Sequence, residues 1–141
     1  MTVEAGEVDG VIASRRLPAS FTPSPRHEGR SLTSAGFAWG VRRLFRLPYA
    51  DTQCGAKVLH RRVTERVVPL MSSRDFLFDV DLLVIARRLG FDVVEVPTVW
   101  IDQAGSKLRA WRDSARMLTS ALRLWIHHRT MPIAAEVQVA R

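Results

Sequence analysis

Three short apolar runs alternate with longer stretches of helical period along this 141-residue chain, and that alternation restricts it to the α/β class. The first run, residues 8–14, carries Val11, Ile12 and Ala13 after Gly10 and is ended by Arg15-Arg16-Leu17-Pro18. The second, residues 56–59, follows a polar turn over 51–55. The third lies within 91–100 and sets Val94, Val96 and Thr98 against Glu95, Pro97 and Val99, with Pro97 suited to an edge strand. One small mixed sheet built from 8–14, 56–59 and 93–99 is expected, with an apolar edge left open near Val11 and Ile12.

Four helices fill the intervals. Residues 31–46 repeat Phe37, Val41, Leu44 and Phe45 at helical spacing and stop before Pro48. A short helix over 63–68 ends at Pro69. The helix over 78–89 has Asp75 ahead of it as a possible cap, Arg87-Arg88 in its last turn and Gly90 as its stop. The last, 107–128, shows a seam of Leu108, Trp111, Ala115, Leu118, Leu122 and Trp125, with Arg109, Arg112, Arg116 and Arg123 off it. Pro18, Pro23 and Pro25 make residues 19–30 a long loop.

The net charge of +7 points to an anionic partner: nucleic acid, an anionic membrane surface or a phosphorylated substrate. No nucleic-acid-binding motif is present, so nucleic acid is set aside. Cys54 is the single cysteine, which excludes an intrachain disulfide and a cysteine-cluster metal site; its ordinary reading is a small buried apolar residue. The acidic start, Met1 to Glu7, has no apolar core and is not a secretory signal. No uncharged apolar run approaches the ~18–20 residues that span a bilayer. His27, His127 and His128 have no partner at metal spacing and read as surface residues.

Two words carry chemistry: Asp51-Thr52-Gln53-Cys54-Gly55-Ala56-Lys57 and Phe78-Asp79-Val80-Asp81-Leu82-Leu83. Arg15, Arg16, Arg30, Arg42, Arg43, Lys107 and Arg109 are spread around them, and cations beside paired carboxylates suit phosphates and a hydroxyl-rich substrate. Each residue also has a plain structural role. Asp79 and Asp81 at a helix start favour the macrodipole; Asp51 in a turn can bond its own backbone, and Gly55 permits a tight one.

These words, with Val8-Asp9-Gly10-Val11-Ile12-Ala13-Ser14-Arg15-Arg16-Leu17, Ala86-Arg87-Arg88-Leu89-Gly90, Val94-Glu95-Val96-Pro97 and Ser106-Lys107-Leu108-Arg109, resemble in order and spacing the C-terminal part of family-2 glycosyltransferases, in the polyprenyl- or dolichyl-phosphate glucosyl/mannosyltransferase branch. The resemblance implies the acceptor-side half of a GT-A fold over 1–128, with 129–141 as a tail. It implies sugar transfer from a UDP-glucose or GDP-mannose type of nucleotide sugar to a polyprenyl phosphate, helped by Mg²⁺ or Mn²⁺, at the cytoplasmic side of a membrane.

By the same resemblance Asp79 faces sugar and acceptor; Asp51, Gln53 and Gly55 form the acceptor and sugar loop; Arg15, Arg16, Arg30 and Ser34 bind the acceptor phosphate; and Lys107 and Arg109 close over the leaving diphosphate. The family's nucleotide-gripping strand and loop and its metal-binding Asp-x-Asp have no counterpart before Val8. Asp79-Val80-Asp81 spells that motif but stands at a helix start, so no metal ligand is assigned. The expectation is therefore a truncated or split transferase, with an upstream-encoded N-terminal half as a partner. The competing reading is a non-catalytic basic module whose helices over 31–46 and 107–128 bind a membrane surface or a partner helix.

Overall fold

A computed structural model describes residues 8–21, 23, 28–101 and 110–131. The elements run β1 (Gly10–Ser14), α1 (Glu28–Phe45), β2 (Lys57–Leu59), α2 (Arg61–Val67), a 3₁₀ turn (Val68–Leu70), α3 (Phe78–Arg88), β3 (Val93–Pro97) and α4 (Ala110–Thr130). The three strands form one mixed sheet in the order β2-β1-β3, β2 antiparallel and β3 parallel to β1. The α/β class and the three expected strands are thus present. Helix α1 starts at Glu28, inside the stretch read as loop.

The expected open edge at Val11 and Ile12 is not there. β1 is the central strand, pairing through Val11 with Val58 on one side and Val94 on the other. Ile12 is fully buried. Strand period explains the distinction: Gly10, Ile12 and Ser14 face one way, Val11 and Ala13 the other. Ile12 and Val93 join Val41 of α1, Val63 and Val67 of α2, Val80, Leu83 and Ile85 of α3, and Ala121 and Leu124 of α4 in a single core. The helices therefore cover the Ile12 face. The Val11 face carries a shallow apolar groove of about 350 Å³ lined by Val11, Ala13, Gly55, Ala56, Lys57, Val58 and Val96, and Val58 is 75% exposed. What lies open is a face of the sheet, not its central strand edge.

Helix α3 organises the core. Every residue from Val80 to Ala86 is buried, including Asp81. Its C-terminus is closed by Gly90 at φ +80°, with Gly90 N–H donating to Arg87 O at 3.1 Å and Phe91 N–H to Ala86 O at 3.0 Å. This is the paired 5→2 and 6→1 closure that favours glycine at that position. The two arginines before it reach outward to cap other helices. Arg87 donates to Arg46 O at 3.0 Å beyond the end of α1, and Arg88 to His128 O at 2.7 Å and Met131 O at 3.2 Å at the end of α4. A sequence pattern that suits the α3 dipole alone serves three helix ends.

Helix α4 buries a different stripe from the one expected. Ala121, Leu124 and His128 face the core, while Leu118 and Leu122 of the expected seam are exposed and Trp125 is half-buried.

Gly90→Ala is expected to destabilise the fold by about 1–2 kcal/mol, the cost of a Cβ in left-handed backbone. Open space around Gly90 removes any steric contribution. A thermal melt unchanged by this substitution would show that the closure is not needed.

Candidate functional site

Strand directions bring the chemistry to one end of the sheet. β1 and β3 are parallel and end at Ser14 and Pro97, while antiparallel β2 starts at that same end, its Lys57 opposite Ile12. The segments after β1, after β3 and before β2 therefore meet where parallel α/β sheets commonly place ligands.

Arg15 follows β1 directly and grips Asp51 across this end. Its Nε donates to Oδ2 at 2.6 Å, its Nη2 to Oδ1 at 2.9 Å and its backbone N–H to Oδ2 at 3.1 Å. The guanidinium lies over Trp100, 5.2 Å from the ring centroid. Trp100 is positioned by strand-like pairing, its N–H donating to Phe21 O at 2.9 Å. Glu95, on the helix-covered face of β3, accepts the N–H groups of Ala50 and Asp51 at 2.6 and 2.8 Å. Burial opposes ionisation of Asp51, but the Arg15 hydrogen bonds and charge, with a contribution from Arg16, outweigh it and hold the carboxyl below its ordinary range. Asp51 does not bond its own backbone as an isolated turn would; a fork-to-fork ion pair holds it.

The other end of the same loop is held by Lys57. Its ammonium donates to the Cys54 carbonyl and, at 2.8 Å, to Asp79 Oδ1 on the first turn of α3. The Lys57 side chain is 7% exposed and that of Asp79 26%. Asp79 Oδ2 takes no hydrogen bond among the described residues. A partly exposed carboxylate thus presents an unused acceptor oxygen next to a buried cation, a pairing suited to orienting a hydroxyl. Cys54 and Thr52 are buried, and the Thr52 hydroxyl has no partner among the described residues. Gln53 is half-buried and Gly55 is exposed. Gly55 has neither positive φ nor a neighbour within 4 Å of where a Cβ would stand, so the tight backbone expected there is absent.

Asp81, two residues beyond Asp79, serves a separate purpose. It has no solvent exposure and accepts Ser72 N–H and Ser73 N–H at 2.7 Å each on Oδ2, with His128 Nε2 at 2.8 Å on Oδ1. Burial raises its carboxyl, and the bonds from His128, Ser73 and Ser72 more than compensate, leaving it lowered and ionised. An ionised carboxylate only accepts, so His128 Nε2 carries the shared proton. His128 is therefore a core residue, correcting its reading as a surface histidine. Asp79 and Asp81 are committed to different partners and do not form a chelating pair. No group of three or more metal-binding side chains occurs among the described residues, and these residues do not fit a Mg²⁺ or Mn²⁺ site.

The remaining sequence candidates divide. Arg16 is exposed beside Arg15. Arg30 and Ser34 fall on α1, their side chains outside the described residues; Lys107 and Arg109 also lie outside them. Asp75, the expected cap, is not the N-cap of α3, a position that Leu77 holds; it fixes the preceding turn by accepting Leu77 N–H at 2.9 Å and Ser73 O–H at 2.8 Å. Three contributors were not singled out from sequence: Lys57, Glu95 and Trp100. The signal for the first two was a charge inside an otherwise apolar strand, each in register with buried Ile12.

Comparison with known proteins gives the same direction. The chain is 32% identical over 123 residues to glycosyltransferase AglD of Haloferax volcanii, covering 87% of this chain and 19% of that protein. It is 32% identical over 123 residues to a dolichyl-phosphate β-glucosyltransferase of Dictyostelium discoideum, covering 86% of this chain and 38% of the relative. The human dolichyl-phosphate β-glucosyltransferase is 34% identical over 79 residues, 56% of this chain and 24% of the relative. The chain thus spans less than two fifths of the length of these relatives. No family model and no solved structure matches it.

Asp81→Ala is expected to cost about 3–5 kcal/mol, as removal of one partner from a buried charge pair does. Because the folded carboxyl lies below the unfolded value of about 3.9, its contribution is complete above that pH and is lost as pH falls through the folded value. Melting temperature should therefore fall on acidification below about pH 4, less steeply in Asp81→Asn than in the parent. Equal slopes in the two proteins would show that Asp81 does not carry this dependence.

Proposed function

We propose that this chain, which belongs to the polyprenyl-phosphate branch of the family-2 glycosyltransferases, supplies the acceptor side of a GT-A transferase that moves a sugar from a nucleotide sugar to a polyprenyl phosphate. The observation that carries the reading is the clamped loop over 51–57, tied by Arg15 and Glu95 at one end and by Lys57 to Asp79 at the other. The Dictyostelium discoideum and human relatives are named for dolichyl-phosphate glucosyl transfer.

In this proposal the acceptor phosphate, already ionised at neutral pH, attacks the anomeric carbon and the nucleoside diphosphate departs. Such a nucleophile needs little help from a general base. Asp79 then orients a sugar hydroxyl or faces developing positive charge, and Lys57 fixes its position. Arg15 holds the loop, and Arg16 beside it meets the acceptor phosphate. Roles for Arg30 and Ser34 at that phosphate, for Gln53 at the sugar, and for Lys107 and Arg109 at the diphosphate rest on the family resemblance. So does a divalent metal, whose ligands would come from outside the described residues. The bare face of the sheet gives further polypeptide, including a nucleotide-binding half, a surface to pack on.

Near-attack placement of donor and acceptor is worth about 7–11 kcal/mol, and in this reading the chain supplies only the acceptor side of that placement. Purified alone, with UDP-glucose or GDP-mannose, Mn²⁺ and a polyprenyl phosphate, it is expected to give no turnover. Turnover should appear on adding a polypeptide that supplies the nucleotide-binding half. Within that active assembly, Asp79→Asn should lower kcat about 100-fold or more, the loss expected of a group acting in the transition state. Lys57→Met should act in the same direction. An active assembly indifferent to both substitutions would overturn the assignment of this site.

A further inference from the structure

The parallel pairing of β1 with β3 breaks off after Ser14, and a hydroxyl fills the gap. Gly10 N–H donates to Asp92 O at 3.2 Å, which fixes the alternation of the ladder. The next rungs fall on Ile12 and Ser14, and the Ser14 carbonyl is due the N–H of Thr98. Ser20 Oγ stands between these two groups, donating to Ser14 O and accepting Thr98 N–H at 3.2 Å. One rung further the ladder resumes, with Phe21 in the place of a β1 residue. Phe21 N–H donates to Thr98 O at 3.0 Å and Phe21 O accepts Trp100 N–H at 2.9 Å, a parallel bridge to Val99. Residues 15–20 are therefore an excursion from a strand that otherwise continues. A turn folds the excursion back, with Ser20 N–H donating to Leu17 O at 2.9 Å.

We propose that Ser20 is a positioning residue, whose hydroxyl staples the neck of this excursion and so sets the Arg15–Asp51 fork at the site. Arg15 is the first residue of the excursion and follows the Ser14 carbonyl that the staple engages. Its Nε, Nη2 and backbone N–H all donate to Asp51, and its guanidinium lies over Trp100, two residues beyond Thr98. The staple thus ties together the two backbones that carry the cation and the ring. Ser14 is fully buried. Removing the hydroxyl therefore either strands a donor and an acceptor or lets them close directly into the missing rung. Direct closure narrows the neck and draws Arg15 away from Asp51 and Trp100. Serine suits the task, because a short side chain with one donor and two acceptor sites bridges both groups. The kinetic consequence rests on the transferase reading. The excursion also carries Arg16, which that reading places at the acceptor phosphate, so the staple acts on acceptor binding and not on the donor.

Two measurements separate the staple from the transferase reading. On the intact chain alone, Ser20→Ala should speed amide exchange of Thr98 about fivefold through loss of one hydrogen bond. It should also move the Arg15 Nε–H signal in proton–nitrogen correlation spectra toward that of an arginine in water. Ser20→Thr keeps the hydroxyl and should restore both. Thr64→Ala removes a hydroxyl-to-carbonyl bond within α2 and should change neither. Ser20→Cys keeps the shape with a weaker hydrogen-bonding group and should fall between the parent and Ser20→Ala. An Arg15 signal that stays in place in Ser20→Ala would overturn the proposal. If Ser20→Ala does not fold, a parent-like Arg15 signal in Ser20→Cys would do the same. In an assembly completed by a nucleotide-binding half, with a polyprenyl phosphate as acceptor, Ser20→Ala should raise the acceptor KM about fivefold and leave kcat and the donor KM within about twofold. Equal rises in both KM values would assign Ser20 a structural role only and overturn the proposal. An assembly with no turnover, or one indifferent to Asp79→Asn, would sink the transferase reading instead, and the Arg15 signal would still decide the staple.

Discussion

A carboxylate without access to water determines how this chain is put together. Asp81 sits in the first turn of a helix that is buried along seven consecutive residues, and an ionised group there is stable only if its oxygens are fully engaged. Two backbone N–H groups from the turn before α3 and one imidazole from the far end of α4 meet that demand. Each also fixes a piece of structure that apolar packing leaves free to slide. The turn is held against the helix start, and α4 is set in one rotation, the one that turns His128 inward. Arg88 completes the fixing from the other end of α3 by taking up carbonyls at the end of α4. Replacing either the acid or the histidine by an apolar residue would leave its partner buried and unpaired, so the arrangement specifies orientation more than it adds stability.

The candidate site depends on this fixed helix. Asp79 is one turn's start away from Asp81, and its position relative to β2 follows from where α3 begins. Lys57 can reach Asp79 because β2 runs antiparallel to β1 and so starts at the end where α3 starts. The loop between is held at both ends by charge-assisted hydrogen bonds in partly buried surroundings, where such bonds are roughly twice as strong as neutral ones. Arg15 follows β1 directly, Lys57 opens β2 and Glu95 belongs to β3, so all three strands contribute to holding one loop. A loop with this many fixed points loses little further entropy when a substrate meets it.

Some of this was legible in the sequence for definite reasons. The strands were, because Val11-Ile12-Ala13 and Val93, Val94 and Val96 are β-branched or small residues in short runs bounded by turn residues. The end of α3 was, because Gly90 follows two arginines. The buried stripe of α4 was not. Leu118, Leu122 and Trp125 make as good a helical stripe as Ala121, Leu124 and His128, and hydrophobicity alone ranks leucine and tryptophan above alanine and histidine. What decides the matter is a partner 47 residues earlier in the chain, Asp81, and periodicity carries no information about that. Lys57 and Glu95 were missed for a related reason. Their roles depend on strand register, which places both beside Ile12, and register is a property of the folded sheet.

The rotation of α4 has a consequence for the surface. Turning His128 toward Asp81 spends the smaller stripe on the core and leaves Leu118, Leu122 and Ile126 outward, an arrangement that ordinary burial would reverse. The sheet shows a parallel case: its Ile12 face is covered by four helices while Val11, Ala13, Val58 and Val96 line an open groove. Apolar surface left in water on both an element's outer stripe and a sheet's second face is more than a monomeric domain of this size needs for its own core. The two surfaces differ in their surroundings. Arginines rim the helix stripe, whereas the groove is lined by valine, alanine and glycine together with Lys57, whose ammonium is engaged by Asp79 and the Cys54 carbonyl. A charged boundary and a neutral concave sheet are chemically different surfaces, suited to different neighbours. That division accords with a chain that matches most of its own length to much longer relatives.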